Sequence, residues 1–313
     1  MVRAGIYVWF VCLSIYAAAT LGADVILNEY NAVNGSDYLN GGTASRDEDG
    51  GFASDSYFGR IMGNGGDWFE LVVITDHLDM RRWTLEIWVE GTRDEALDLT
   101  NHSLWSDLRS GTIITVAEDV PENISYNPKE GDWWINVQAN TFASGTYIRN
   151  SGFPVTNDDW QLVIRDENDS VIFGPAGEGI GPPSGVNSRE ICRLEAHPGA
   201  SITPYSNYYD DGNCLSTFGS PNRWAVTDFG FRYIQNFRTL RGYDLADFDE
   251  NGIVDTADFG ILANAWLTIA NGPNWNPDCD ISAQADGVID VSDLEAFTQA
   301  WLTHQGPYTN SIH

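Results

Sequence analysis

The chain has 313 residues, 42% hydrophobic and 19% charged, a globular composition with enough apolar material for one large domain or two unequal ones. Forty-five Asp and Glu stand against 16 Lys and Arg, a formal net charge of -29, so phosphate backbones and anionic membrane surfaces are repelled and nucleic acid is excluded as a partner. Its 31 Gly, with 12 Trp, 13 Tyr and 14 Phe, predict a turn-rich and mainly β protein.

Residues 1–23 read as an export signal. Arg3 supplies the positive end, residues 6–19 are apolar, and Ala17, Ala18, Ala19, Gly22 and Ala23 lead to Asp24. The apolar run is short for a bilayer span and the chain turns polar directly after it. The expected mature chain is therefore secreted, extracellular or cell-surface associated, with no membrane span. Cys12 leaves with the signal. Cys192 and Cys214 lie 22 positions apart in a Gly/Tyr/Asp-rich stretch and are expected to form a disulfide in an oxidising compartment. Cys279 has no His or Lys near it in sequence and reads as a buried apolar residue.

Residues 24–235 show short alternating strands between turn clusters, predicting an antiparallel β-sandwich. Val25, Leu27 and Glu29 alternate with Ile26, Asn28 and Tyr30, and Trp83, Leu85, Ile87 and Val89 share a face opposite Thr84, Glu86 and Trp88. Residues 160–165 and 171–173 flank Asp166-Glu167-Asn168-Asp169, a hairpin signal. Residues 34–66 read as a long loop or insertion. Trp68 and Trp83 are expected in the core. Trp133-Trp134 are adjacent, so in a strand their rings point to opposite faces: one is expected to fill the core and the other to cover a sheet edge, with stacking on a sugar as the alternative.

Residues 236–243 read as a linker, 244–303 as a second unit and 304–313 as a tail. Two apolar helical segments, 259–267 and 294–302, end alike in Ala-Trp-Leu, and Gly252 and Gly287 set the repeat at 35 residues. Each segment follows an acidic loop. In the first, Asp247, Asp249 and Asn251 take positions one, three and five of a twelve-position calcium loop. Gly252 makes the turn at position six, Ile253 offers its carbonyl, Asp255 stands at nine and Asp258 closes the shell. A solvated acidic turn explains one or two of these residues, but not all the oxygen positions together with the glycine and Val254 at the core-facing eighth position. In the second loop, Asp286, Gly287, Val288, Ile289, Asp290 and Asp293 repeat the second half of the first. Asp280 lies two residues further upstream than the repeat requires. An expanded loop using Asp280, Asp286, the Val288 carbonyl, Asp290 and Asp293 is expected to hold a second calcium ion, with Ser282 or Gln284 filling a remaining position and Asp278 a weaker candidate.

On these residues, positions 244–302 resemble a type I dockerin, a pair of calcium-loop-plus-helix repeats with pseudo-twofold symmetry that docks onto a cohesin module. The resemblance implies a cohesin-like scaffold or surface partner, contacted at loop positions ten and eleven, here Thr256-Ala257 and Val291-Ser292. Those pairs depart from the Ser-Thr common in the family. Residues 24–235 resemble a lamin-tail domain, an immunoglobulin-like sandwich, in Val25-Ile26-Leu27-Asn28-Glu29-Tyr30, Asp67-Trp68-Phe69-Glu70-Leu71, residues 78–85 and Ser216-Thr217-Phe218-Gly219-Ser220-Pro221-Asn222. Arg81-Arg82 stands where the family has Ser-Gly. This family is non-catalytic where characterised, and serves secreted bacterial proteins as an accessory or adhesion module.

The five His lack nucleophile-elbow and zinc-ligand contexts, and no carboxylate pair is singled out by its surroundings. The chain is thus expected to be a secreted, non-enzymatic binding or adhesion protein that binds calcium. The alternative is a carbohydrate-binding or glycoside-hydrolase-associated component of polysaccharide catabolism, with extracellular polysaccharide as its partner.

Overall fold

The computed structural model describes residues 22–149, 152–181, 185–210, 215–225, 232–270, 272–282, 286–304 and 306. The export segment 1–21 lies outside the described residues, as does Cys214, so the Cys192–Cys214 pairing does too; Cys192 itself is buried. Among the described residues no helix is long and apolar enough to cross a membrane.

In chain order the strands are β1 (Val25–Asn31), β2 (Ser54–Asp55), β3 (Trp68–Val73), β4 (Thr84–Val89), β5 (Thr92–Leu99), β6 (Ile113–Ala117), β7 (Trp134–Gln138), β8 (Ile148–Arg149), β9 (Gln161–Arg165), β10 (Val171–Gly177), β11 (Ile191–Leu194), β12 (Tyr209–Asp210), β13 (Leu215–Ser216), β14 (Arg223–Ala225) and β15 (Arg232–Ile234). One sheet has the order β12-β11-β1-β3-β6-β7 and the other β10-β9-β4-β5-β8. Leu27, Phe69, Leu71 and Val116 from the first share a single core with Leu85, Ile87, Leu162 and Ile164 from the second, the arrangement of a β-sandwich. Pairing is antiparallel except between β6 and β7 and between β13 and β2. Glu90 (φ 48) and Gly91 (φ 72) close the β4–β5 hairpin in the left-handed conformation that a tight two-residue turn demands. The hairpin at residues 166–169 forms as its sequence predicts, with the Asp166 carboxylate accepting from the backbone of Asn168 and Ser170.

Strand β1 departs from simple alternation. Every residue in it is buried, and its register against β3 slips between Leu27 and Glu29. This bulge lets the consecutive side chains of Asn28 and Glu29 join one polar network instead of facing opposite ways.

Residues 34–66 form an ordered excursion with its own small cluster of Val33, Leu39, Ala53 and Ile191. Its centre is Arg60, which stacks on Tyr38 and donates to the carbonyls of Leu39, Gly41, Thr43, Arg46 and Ala53. One planar guanidinium thus gathers five carbonyls of the loop, of which those of Thr43 and Arg46 also pair with each other's backbone N–H. Arg60→Ala is expected to cost about 2 kcal/mol locally. Amide exchange over residues 41–53 should rise about thirtyfold while β3 and β6 keep their protection, which hydrogen-exchange mass spectrometry reads directly.

Two helices follow, α1 (Thr256–Asn264) and α2 (Val291–Gln299). Both start three residues before the apolar segments and stop before those segments end. The early start comes from Asp255 and Asp290, each an N-cap completed by a capping box with Asp258 or Asp293. The early stop comes from Leu267 (φ 57) and Leu302 (φ 63), whose left-handed backbone ends the helical run.

The chain after α1 then pairs with the second loop, Leu267 N–H donating to Ile289 O and Ile289 N–H to Thr268 O. After α2 it pairs with the first loop in the same way, through Leu302 to Val254 and Val254 to Thr303. Val254 and Ile289, the eighth loop positions, are buried with Leu262, Phe297 and Cys279 in a cluster separate from the sandwich core. Residues 236–243 are no free linker. Phe237 belongs to the sandwich core and Arg238 is buried.

Candidate metal centre

The first acidic loop curls because its carboxylates hold its own backbone. Asp247 accepts from the N–H groups of Asn251 and Gly252, at 3.1 and 2.8 Å. Asp258, one turn into α1, accepts from Phe248, Asp249 and Asp255, at 2.6, 3.2 and 2.9 Å. Gly252 sits at φ 88 and Glu250 at φ 55, the left-handed steps that turn the chain round. The result brings one carboxylate oxygen each from Asp247, Asp249 and Asp258 within 4.8 Å of one another, a group able to hold a metal ion.

Asp247 and Asp258 are fully buried. Burial, with the charges of Asp258 and Asp249 added, pushes the Asp247 carboxyl up to about 6. A divalent cation at the cluster would remove that penalty, since it favours the ionised carboxylate. The donors are hard oxygens throughout, the chemistry of calcium or magnesium rather than of a softer transition metal. Asn251 and Asp255 are turned partly to local duties, Asn251 Oδ1 accepting from Ile253 N–H and Asp255 Oδ1 from Ala257 N–H.

The second loop repeats this scheme bond for bond. Asp280 accepts from Asp286 and Gly287, and Asp293 accepts from Ile281, Ser282 and Asp290. Asp286 accepts from Val288 N–H as Asn251 does from Ile253, and Asp290 from Ser292 as Asp255 does from Ala257. Burial and the charges of Asp293 and Asp286 raise the Asp280 carboxyl. The equivalent of Asp249 is Ser282, so three carboxylates do not gather here among the described residues. Gln284 lies outside those residues. Asp278 faces away, its carbonyl accepting from Arg238 at 2.9 Å and its carboxylate 3.6 Å from the same guanidinium. Cys279 is fully buried and its thiol is pushed up to about 12, chiefly by burial and then by Asp278, which leaves it inert.

Thr256, Ala257, Val291 and Ser292 are all exposed on the first turns of the helices. Near them Phe259, Leu267, Trp301 and Leu302 also stand open to solvent, and Phe259, Leu262, Ala263, Trp266 and Leu294 line an apolar groove of about 210 Å3. Of the adjacent tryptophans, Trp133 is buried. Trp134 is half-buried, donating to Thr115 and packed on Gly219, where a Cβ would come within 2.5 Å of its ring.

Glu29 and Glu70, which by their place beside strand residues could cap loops or pair with Arg, both cap the loop at residues 217–219. They do so within a wider polar network at the β1 bulge that was not expected from the sequence. Asn28 donates to Glu70 (2.6 Å), Asn222 and Gln235, Glu70 accepts from Gly219 N–H, and Glu29 accepts from the backbone and hydroxyl of Thr217. Its signal was two consecutive polar residues interrupting an apolar strand. It ties residues 216–222 and 235 to β1 and β3, a structural role. No family model, no curated protein and no solved structure matches this chain.

Proposed function

We propose that this is a secreted, non-enzymatic binding protein in which an immunoglobulin-like, lamin-tail-like sandwich carries a dockerin-like C-terminal unit that binds calcium and docks on a cohesin-like scaffold or surface partner. The observation that carries the reading is the meeting of Asp247, Asp249 and Asp258 oxygens within 4.8 Å, on a loop whose hydrogen bonds recur in a second copy. Calcium suits these donors because a large hard cation accepts six to eight oxygens at a flexible radius. Asp247, Asp249, Asn251, the Ile253 carbonyl, Asp255 and Asp258 would hold the first ion, and Asp280, Asp286, the Val288 carbonyl, Asp290 and Asp293 a second. Export is supported by residues 1–23, and docking by the exposed apolar residues beside Thr256-Ala257 and Val291-Ser292.

Calorimetric titration of the full chain with calcium tests the metal claim. Two sites are expected in the natural chain and one in the Asp247→Ala/Asp258→Ala double variant. Two sites surviving in that variant would place the ions elsewhere.

A further inference from the structure

The first loop has two sides. Its odd positions, Asp247 and Asp249, turn in towards the carboxylate cluster. Its even positions, Phe248 and Glu250, turn out towards two arginines that belong to the strap 236–243. Arg238 lies over the Phe248 ring at 5.2 Å and donates to Asp278 O, just before the second loop. Arg241 lies 3.3 Å from Glu250 Oε2 and donates to Gly111 O of the sandwich, with its guanidinium 4.6 Å from the Trp133 ring and 5.0 Å from Phe237. Gly111 admits it. A Cβ there would come within 2.5 Å of the Arg241 side chain.

Charge makes this contact the natural hinge of the molecule. Residues 244–302 contain twelve Asp and Glu and no Lys or Arg, so the cations that meet the first loop come from the strap. Both are desolvated, the Arg238 side chain 4% and that of Arg241 11% exposed. The buried Arg241 guanidinium keeps its charged acceptor only while Glu250, itself 35% exposed, is correctly placed. Glu250 is placed by the left-handed backbone between two ligand positions, and Phe248 donates its N–H to Asp258, the residue that closes the cluster.

We infer that cation uptake by the first loop latches the C-terminal unit onto the sandwich through Arg238 and Arg241. This rests on the metal reading above. With the ion in place the even positions face the arginines and the two units move as one. Without it the loop opens, the acceptors leave, and the strap becomes accessible.

The two arginines are themselves trypsin sites, which gives a direct readout on the full chain. Cleavage after Arg238 and Arg241 is measured by mass spectrometry with calcium and with EGTA, normalised to cleavage after Arg82, whose side chain is 63% exposed. Calcium is expected to slow both cuts at least about tenfold, the ratio that about 1.4 kcal/mol of latching would give. Glu250→Gln occupies no ligand position and is expected to keep both sites by calorimetry, speed the cut after Arg241 in calcium, and by reciprocity weaken calcium affinity about fivefold. Small-angle scattering of the natural chain should show a smaller radius of gyration with calcium. Calcium binding with unchanged cleavage and unchanged radius overturns the latch and leaves the metal reading standing. Absence of calcium binding overturns both.

Discussion

Chelation of divalent ions is expected to melt α1 and α2 while the sandwich stays folded. The two nine-residue helices are too short to persist alone in water. Their shared core is small, among the described residues eight buried side chains of which three are Ala. Against that stands the repulsion among the carboxylates, which burial has already driven to about 6 at Asp247. An ion that binds only the folded form adds about 4 kcal/mol at a thousandfold excess over its dissociation constant. For a unit of this size that corresponds to about 20 °C in melting temperature. Calorimetric scans in EDTA and in calcium are expected to differ by a low-temperature transition of that size, with loss of far-UV helical signal in EDTA. Asp258→Ala should behave like EDTA at the first repeat, because Asp258 is both a cluster member and the residue that closes the capping box. A helical signal indifferent to exhaustive chelation would refute the metal reading.

The second large effect lies in the sandwich and depends on pH. Burial, followed by the charge of Asp55, pushes Glu29 up to about 7 from 4.5. Burial and then the charge of Glu29 push Glu70 well above the ordinary range. Burial also raises Asp67 to about 6. All three are raised on folding, so the folded state binds protons more tightly than the unfolded one. For Glu29 the stability this contributes is complete below about pH 4.5 and is lost as pH rises through about 7, and for Asp67 it is complete below about pH 3.8 and lost through about 6. For Glu29 alone the shift corresponds to about 3 kcal/mol, or about 10 °C for a domain of this length. Thermal unfolding followed by near-UV tryptophan signal should therefore give a lower midpoint at pH 8.5 than at pH 5.5.

Glu29→Gln tests the assignment. An amide can accept from Thr217 N–H and donate to the Thr217 hydroxyl, which is then free to donate to Asn222. The variant should fold and lose at least half of the pH dependence. Equal slopes in both proteins, or a higher midpoint at pH 8.5, would show that these carboxyls titrate normally.

Much of this could be read from the chain. The hairpin at residues 166–169 and the turn of the first loop at Gly252 depend on residues within a few positions of one another, and the burial of Trp68 and Trp83 follows from their large apolar surface. Turn chemistry and alternation encode such features locally. Element ends were less legible. The helices begin directly after the N-caps Asp255 and Asp290 because a capping box outweighs the apolar pattern that starts three residues into each helix. Asp278, a weak ligand candidate, is claimed instead by Arg238, 40 positions away in sequence.

What the sequence determined by itself is the mainly β character, the strong negative charge and the duplicated carboxylate loops. Each of these is a property of composition or short-range spacing. Only the tertiary structure decided that Asn28 and Glu29 point into one network, that Arg60 gathers a loop around itself, and that residues 236–243 are a strap packed between two cores. Those outcomes depend on which distant groups meet, because a buried charge or amide must find its partners wherever the fold brings them.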